Sequence, residues 1–516
     1  MAAIQEVIIN MLKAILNFYN EFIIVVFCLF LFGVLSFGRA FSVLCIGTPA
    51  FPLFVTELVL ILSLPFIFIN YKAVRSIDGR LLIAWGIYFL YGCFYMALGL
   101  LKGNLFALRD VTLFGYTLFF LLSFIIFSNE NEWDKILVPF VLFANFVIIM
   151  VSRMSLLQVF ATEGLKEAVS KTKVFHFGLH YGVIACILLS LLNSVKDTRT
   201  KLVIKILLTL DVYMLVIFGN RSIWLACLAA LAFFILFLKT KLLKNLVMLL
   251  PFFIIILSVL CLMDFGILKI SQQKLILSKA KSFGYFITGR LVSKRVAVPE
   301  SAGPVNEAPR KIFSERVYLA GSSKAQKLRN AGEGPLGLPA KAGVAGPAPR
   351  VVPESLRCGF LNILWRLDIW EQSIAFGMKS PLWGRGFGVY PEYLIWGGHA
   401  PAPERIGADS GVIPVHNYLI TIFYKMGILG LALFLYINIF VLYSGIKYVN
   451  KCRSVFARYF LISTLGACIF WHTMAFFFDV IDSPPTSIFI WILMGMVIAV
   501  IETDKNGRFN CRSKLL

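Results

Sequence analysis

His416 opens the string His416-Asn417-Tyr418-Leu419, shortly before Lys425-Met426-Gly427-Ile428-Leu429-Gly430, where a hydrophilic stretch gives way to a long apolar run. An imidazole in that position is able to take a proton near neutral pH. Asp409 and Glu404 lie upstream as groups that would orient it. Further back, Arg366 and Trp370 are four residues apart and share one face of a helix expected over 361–376. The plain alternative for that helix is a surface element with its arginine in water. Pro381-Leu382-Trp383-Gly384-Arg385-Gly386-Phe387-Gly388 follows. Its alternating glycines suit a turn whose backbone N–H groups would face phosphate oxygens.

Arg221 stands in Gly219-Asn220-Arg221-Ser222, between two apolar runs with almost no loop. A guanidinium there is costly unless it meets a wet cavity, a fixed anion or, by snorkelling, the headgroups. Arg109-Asp110 stands at the start of another apolar run, where an ion pair between the two explains it as well as a ligand does. His176 and His180 have the spacing of a metal pair, but no carboxylate or cysteine completes a set, so they are assigned to a cavity wall. His472, Asp479 and Asp482 are similar.

These residues must be positioned by helices in lipid. Hydrophobic residues make up 59% of the 516 and charged residues 15%, with a mean hydropathy of +0.84. So little charge cannot cover a soluble surface, and long apolar runs in a bilayer must be helices to pair their own backbone. The net charge of +22 fits basic cytoplasmic loops, anionic lipid or a diphosphate substrate. No basic run interleaves with stacking aromatics, so nucleic acid is excluded as a partner. The ten cysteines are scattered through apolar runs, with neither zinc nor disulfide spacing. The N-terminus lacks a convincing cleavage site for a signal peptide.

Runs long enough to span appear near 21–37, 52–69, 81–101, 111–127, 136–152, 176–193, 202–218, 222–238, 245–262, 428–446, 457–476 and 485–502, about 12 in all. The expected division is a transmembrane bundle over 1–262, a large extracytoplasmic loop over 263–415, transmembrane helices over 416–502 and a cytoplasmic tail over 503–516. Within the loop, 268–291 has the pattern of an interfacial helix, and 292–356 is low in complexity and expected to be disordered. Loops bearing Lys72, Arg75, Lys196, Arg199, Lys239, Lys447 and Lys451 set both termini in the cytoplasm by the positive-inside rule. The loops at 128–135 and 153–173 disagree.

The Gly-Asn-Arg-Ser turn at 219–222, the Arg366-to-Trp370 element with Pro381-Leu-Trp-Gly-Arg-Gly-Phe-Gly388, and His416-Asn-x-x-Leu419 with Gly427 and Gly430 come in an order that resembles the O-antigen ligase and O-antigen polymerase superfamily of bacterial inner-membrane proteins. That resemblance spans nearly the whole chain. It implies an all-helical, polytopic membrane bundle of the C-type glycosyltransferase class, without metal or other cofactor. The implied donor is a glycan on undecaprenyl diphosphate, and the acceptor is lipid A–core or another glycan. Arg221 and Arg366 would hold the diphosphate, and His416 would deprotonate the acceptor hydroxyl. Arg109, Arg385, Trp370, Asn417 and Asp409 are the remaining candidate pocket residues, and the site would face the periplasm. The stretch at 292–356 is longer and richer in Pro, Ala and Gly than the family pattern suggests. Two other classes of function compete: a transporter or flippase of lipid-linked glycans, and a non-catalytic partner in an envelope polysaccharide assembly complex.

Overall fold

In the hydrocarbon of a bilayer a backbone has no partner but itself, and the described residues of this chain are accordingly helical almost throughout. The computed structural model describes residues 2–38, 41, 44–48, 51–129, 133–163, 177–218, 221–238, 251, 354–391, 415–478 and 484–507. All of these except 354–361 belong to one unit.

Among the described residues the helices longer than one turn are α1 (Ala2–Phe37), α2 (Val55–Ile69), α3 (Gly79–Leu101), α4 (Leu118–Asn129), α5 (Trp133–Glu163), α6 (Phe177–Ser194), α7 (Thr198–Phe218), α8 (Arg221–Leu238), α9 (Glu354–Gly377), α10 (Tyr418–Val449), α11 (Val455–Ala475) and α12 (Pro484–Lys505). Two strands, β1 (Cys45–Thr48) and β2 (Phe51–Phe54), pair antiparallel between α1 and α2. Two 3₁₀ segments, Leu105–Leu113 and Gly115–Thr117, lead into α4.

Eight described helical segments are long and apolar enough to cross a membrane. Helix α2 has 15 residues, about 22 Å at 1.5 Å per residue, short of the roughly 30 Å hydrocarbon core. Helix α7 is long enough but carries Arg199, Lys201, Lys205 and Asp211. Helices lie over every expected run except 245–262, which apart from residue 251 falls outside the described residues, as do 268–291 and 292–353. Eight segments therefore meet the criterion among the described residues, against the twelve expected.

Burial sorts the bundle. The α12 span is 94% buried and the α3 span 33%, so α12 runs through the middle and α3 along the outside. Helix α12 packs on α4, α11 on α6 and α8, and α10 on α3. Small residues allow close approach. Gly495 faces the Phe120 carbonyl and Ser123, Gly182 faces Phe470, and Gly466 faces Phe234. Gly182 lies near the start of α6 and Phe470 near the end of α11, and α8 repeats the direction of α6 with one helix between them, so both run against α11 and the first residues of α8 lie at the end of the bundle where α11 finishes. An aromatic cluster fills the centre: Phe434 lies against Tyr88 (6.1 Å between centroids), Tyr418 (5.8 Å) and Trp491 (5.8 Å).

At the opposite end, Asp504 fixes the turn between α10 and α11. Its Oδ2 accepts from Tyr448 Oη (3.0 Å) and Arg453 N (2.9 Å), and its Oδ1 from Ser454 N (3.1 Å). Arg80, Lys447, Arg453 and Lys505 cluster at that end, with Arg80 over the Phe440 ring at 5.8 Å. Arg366 and His416 lie at the other end.

Candidate functional site

Gly427 breaks α10. Its φ of 69° and ψ of −172° are non-helical, and the chain bends there so sharply that Tyr418 reaches back to Phe434. A broken helix strands carbonyls before the bend and N–H groups after it. The 381–388 turn satisfies both sets. Arg385 N donates to the Tyr424 carbonyl (2.7 Å) and Gly386 N to that of Lys425 (3.0 Å). In return, Ile428 N donates to the Pro381 carbonyl (2.8 Å) and Leu429 N to that of Leu382 (3.4 Å).

This clasp needs glycine twice. Gly384 has φ 76°, and a Cβ there would strike Gly427 N and the Lys425 carbonyl, while a Cβ on Gly427 would strike the Leu382 carbonyl. Gly384→Ala is expected to destabilise the protein by about 2–4 kcal/mol, from the left-handed backbone and the collision together. Thermal unfolding of the purified variant in detergent measures this.

The same hydrogen bonds correct the expected phosphate cradle. The N–H groups of Gly384, Arg385, Gly386 and Gly388 are taken by the Ser380, Tyr424 and Lys425 carbonyls and by the Asp110 carboxylate. Two of these donors complete α10, one closes the turn on Ser380 and one holds Asp110, so none of the four is left for a phosphate.

Beneath the clasp lies a buried ion pair. Lys425 Nζ bonds Asp110 Oδ1, with side chains only 1% and 2% exposed. Asp110 also accepts from Gly388 N (2.8 Å) and Tyr390 Oη (3.1 Å), and the ammonium lies 4.6 Å from the Tyr390 ring centroid. Asn104 Oδ1 caps the 3₁₀ segment at Phe106 N (3.0 Å) while its amide donates to the Gly388 carbonyl (2.8 Å). The charge partner of Asp110 is thus Lys425, 315 residues away in sequence, where an ion pair and a ligand were equal expectations for Arg109-Asp110. Arg109 is half-buried.

Arg366 and His416 meet at the end of α11. Arg366 Nη1 donates to the Phe477 carbonyl, a favourable place for a cation because a helix C-terminus is electronegative. The His416 ring lies 6.3 Å from that of Phe478. Trp370, one turn after Arg366, packs on Phe476 and Phe477 (6.2 and 6.5 Å). Its Nε1 donates to the Val415 carbonyl (2.9 Å), tying α9 to the residue before His416. Asn417 is the N-cap of α10, its Oδ1 accepting from Leu419 N (3.0 Å) and Ile420 N (3.2 Å). Both neighbours therefore hold His416 in place. Among the described residues His416 alone is a non-glycine with positive φ, 56°, a conformation that His tolerates better than most residues. Burial first, and the Arg366 charge second, push its imidazole down to about 3, so it is neutral at pH 7.

A second imidazole lies close by. Tyr418 Oη and His472 Nδ1 are 3.2 Å apart, with Tyr418 also against Trp471. Arg385 is exposed and stacks over Phe376 at 4.9 Å, on the clasp. Arg221 begins α8, but its side chain lies outside the described residues, as do Asp409, Glu404, His176, Asp479 and Asp482. His180 is buried against Phe489 (5.2 Å). Among the described residues no group of three or more His, Cys, Asp or Glu is placed to hold a metal.

Sequence reasoning passed over Lys425 and the tyrosines of α3. Lys425 carried a usable signal, since a lone cation inside an apolar run demands a partner. Tyr91 and Tyr95, which hold the Met426 and Trp383 carbonyls, carried none.

The fold and site define a multi-pass, helical membrane protein with polar residues gathered from a late loop onto one end of its bundle. Residues 355–435, which include all but the first residue of α9, the clasp and His416, match the family described as O-Antigen ligase, and this supports the O-antigen ligase superfamily. No curated protein matches the chain significantly. The family match supports a ligase or polymerase type of function in polysaccharide biosynthesis, with a lipid-linked glycan and an acceptor as general substrates.

Proposed function

We propose that the protein is a glycosyltransferase that moves a glycan from undecaprenyl diphosphate to an acceptor hydroxyl, in the bacterial inner membrane and on its periplasmic side. The observation that carries this reading is the meeting of the Arg366 guanidinium and the His416 imidazole on consecutive residues, Phe477 and Phe478, although the two lie in separate segments. The clustering of Arg80, Lys447, Arg453 and Lys505 at the far end of the bundle supports a cytoplasmic placement of that end.

In the reaction, the acceptor oxygen attacks the anomeric carbon, the bond from that carbon to the diphosphate oxygen breaks, and the diphosphate leaves with the electron pair. Arg366 stabilises the charge that grows on the leaving group, as fixed cations do most effectively in the transition state. Arg221, at the same end of the bundle, is assigned to the same diphosphate. His416 receives the proton of the acceptor hydroxyl. A neutral imidazole is the competent form of a base, and a bound diphosphate would offset the Arg366 charge and make that imidazole more basic than in the free protein. A carrier diphosphate is already a good leaving group, so the residues are asked for charge stabilisation and one proton transfer.

Arg366→Lys tests the reading. Lysine keeps the charge but lacks the planar fork that bonds two oxygens, so transfer by the purified protein should fall by roughly 10²-fold or more, with weaker binding of the lipid-linked donor. Transfer at the wild-type rate with Arg366→Lys and Arg366→Ala alike would remove Arg366 from the site. An acceptor exchange separates the two outcomes of the chemistry: one product on lipid A–core marks ligation, and a ladder on the carrier lipid marks polymerisation.

A further inference from the structure

The corner Pro381-Leu382-Trp383 carries its side chains outward and its carbonyls inward. Leu382 is 55% exposed and Trp383 57%. An exposed loop in water usually leaves its carbonyls to solvent, yet here each one is paired within the protein. The Pro381 and Leu382 carbonyls accept from Ile428 and Leu429, and that of Trp383 accepts from both Tyr91 Oη (3.3 Å) and Tyr95 Oη. Proline has no N–H to satisfy. Apolar side chains turned out with carbonyls turned in suits irregular backbone at the edge of the hydrocarbon, where the Leu382 and Trp383 N–H groups would remain at headgroup level.

The surroundings of the corner agree. Ile428 and Leu429, to which it is bonded, are 50% and 40% exposed and begin the outward stripe of α10 that continues through Ile439 and Tyr443. Tyr91 and Tyr95 lie on α3, whose outward stripe of Ile83, Ile87 and Leu90 runs past the corner to Phe94 and Leu101, the last 83% exposed. The corner is therefore continuous with the lipid-facing surface of two spanning helices. Lys379 and Arg385 flank it, both near the Phe376 ring (5.7 and 4.9 Å), as cations at headgroup level would. Tryptophan is the residue enriched at that boundary.

We propose that Leu382 and Trp383 form an interfacial wedge seated in bilayer lipid, with Lys379 and Arg385 against lipid phosphates. Through the clasp, this wedge anchors the bend of α10 to the membrane surface. The inference does not depend on the reaction assigned above.

The test uses full-length protein in nanodiscs, with and without phospholipid brominated on its acyl chains, comparing the wild type with Trp383→Phe. The chain has nine tryptophans, so the difference between the two emission spectra isolates Trp383. Phenylalanine preserves the apolar contact and the backbone pairing. The difference emission is expected to be blue-shifted, to lose most of its intensity to brominated lipid and to be almost insensitive to aqueous iodide. Leu382→Trp in the Trp383→Phe background should behave likewise. Red-shifted emission quenched by iodide would place the corner in water and overturn the proposal. Emission untouched by either quencher would place it against another protein chain, such as a second copy, and would overturn it equally.

Discussion

Replacing His416 with asparagine is expected to leave the protein folded and nearly inactive. Asparagine accepts positive φ as readily as any side chain except glycine, so the 56° at this position is retained, whereas alanine would add backbone strain to the loss of the ring. General-base catalysis is worth roughly 10²–10⁴-fold, and transfer should fall by at least that much while the melting temperature and donor binding hold. A folded His416→Asn protein that transfers glycan at the wild-type rate would end the assignment of this imidazole as the base.

The pH dependence follows from the same geometry. In the free protein the imidazole sits at about 3, lowered by burial and then by Arg366. A base works only when unprotonated, so the acid limb due to His416 in kcat/KM should lie far below neutrality. With donor bound, the diphosphate offsets the Arg366 charge, and the acid limb of kcat should move to higher pH. Arg366→Gln should raise the free-protein value, which carbon-13-labelled histidine reports by NMR. For stability the sign is also fixed. Unfolded chains bind the proton near 6.5, so this group destabilises the fold as pH falls from about 6.5 toward about 3 and has no effect above that window.

The second large effect concerns the ion pair. Lys425→Met leaves the Asp110 carboxylate buried without its cation, and removal of one partner from a buried pair costs about 3–5 kcal/mol. The variant is expected to accumulate poorly and to melt well below the wild type. Lys425→Met combined with Asp110→Leu should recover part of that loss, because the desolvation of both charges disappears with them. Asp110 also holds Gly388 N and Tyr390, so the recovery should be incomplete. A double variant no more stable than Lys425→Met would show that the neighbouring hydrogen bonds, and not the charge pair, hold the clasp together.

The positions of the helices were legible because lipid imposes one rule: apolar runs must pair their own backbone. The helix bearing Arg366 and Trp370 was legible from spacing, and His416 from its place before a spanning run. The clasp was not legible. Three glycines at alternate positions suggested a phosphate cradle, since a turn with free donors and a turn with occupied donors have the same composition. What occupies them is a helix broken at Gly427, whose bend depends on contacts with residues some 40 positions upstream. The partner of Asp110 was not legible for a related reason. Its neighbour in sequence is Arg109, but a buried carboxylate is satisfied by what the fold brings near, and that is Lys425. Trp370 and Asn417, expected as pocket residues, have their polar atoms occupied in holding backbone next to His416.

The Asp110–Lys425 contact also bears on how the chain is made. Asp110 leaves the ribosome 315 residues before Lys425, and synthesis at about 5–20 residues per second makes that interval roughly 16–63 s. For that time the segment before α4 carries an acid whose cation has not yet been translated. The contact beneath α10 therefore cannot close until Lys425 has been made, well after the early helices have emerged.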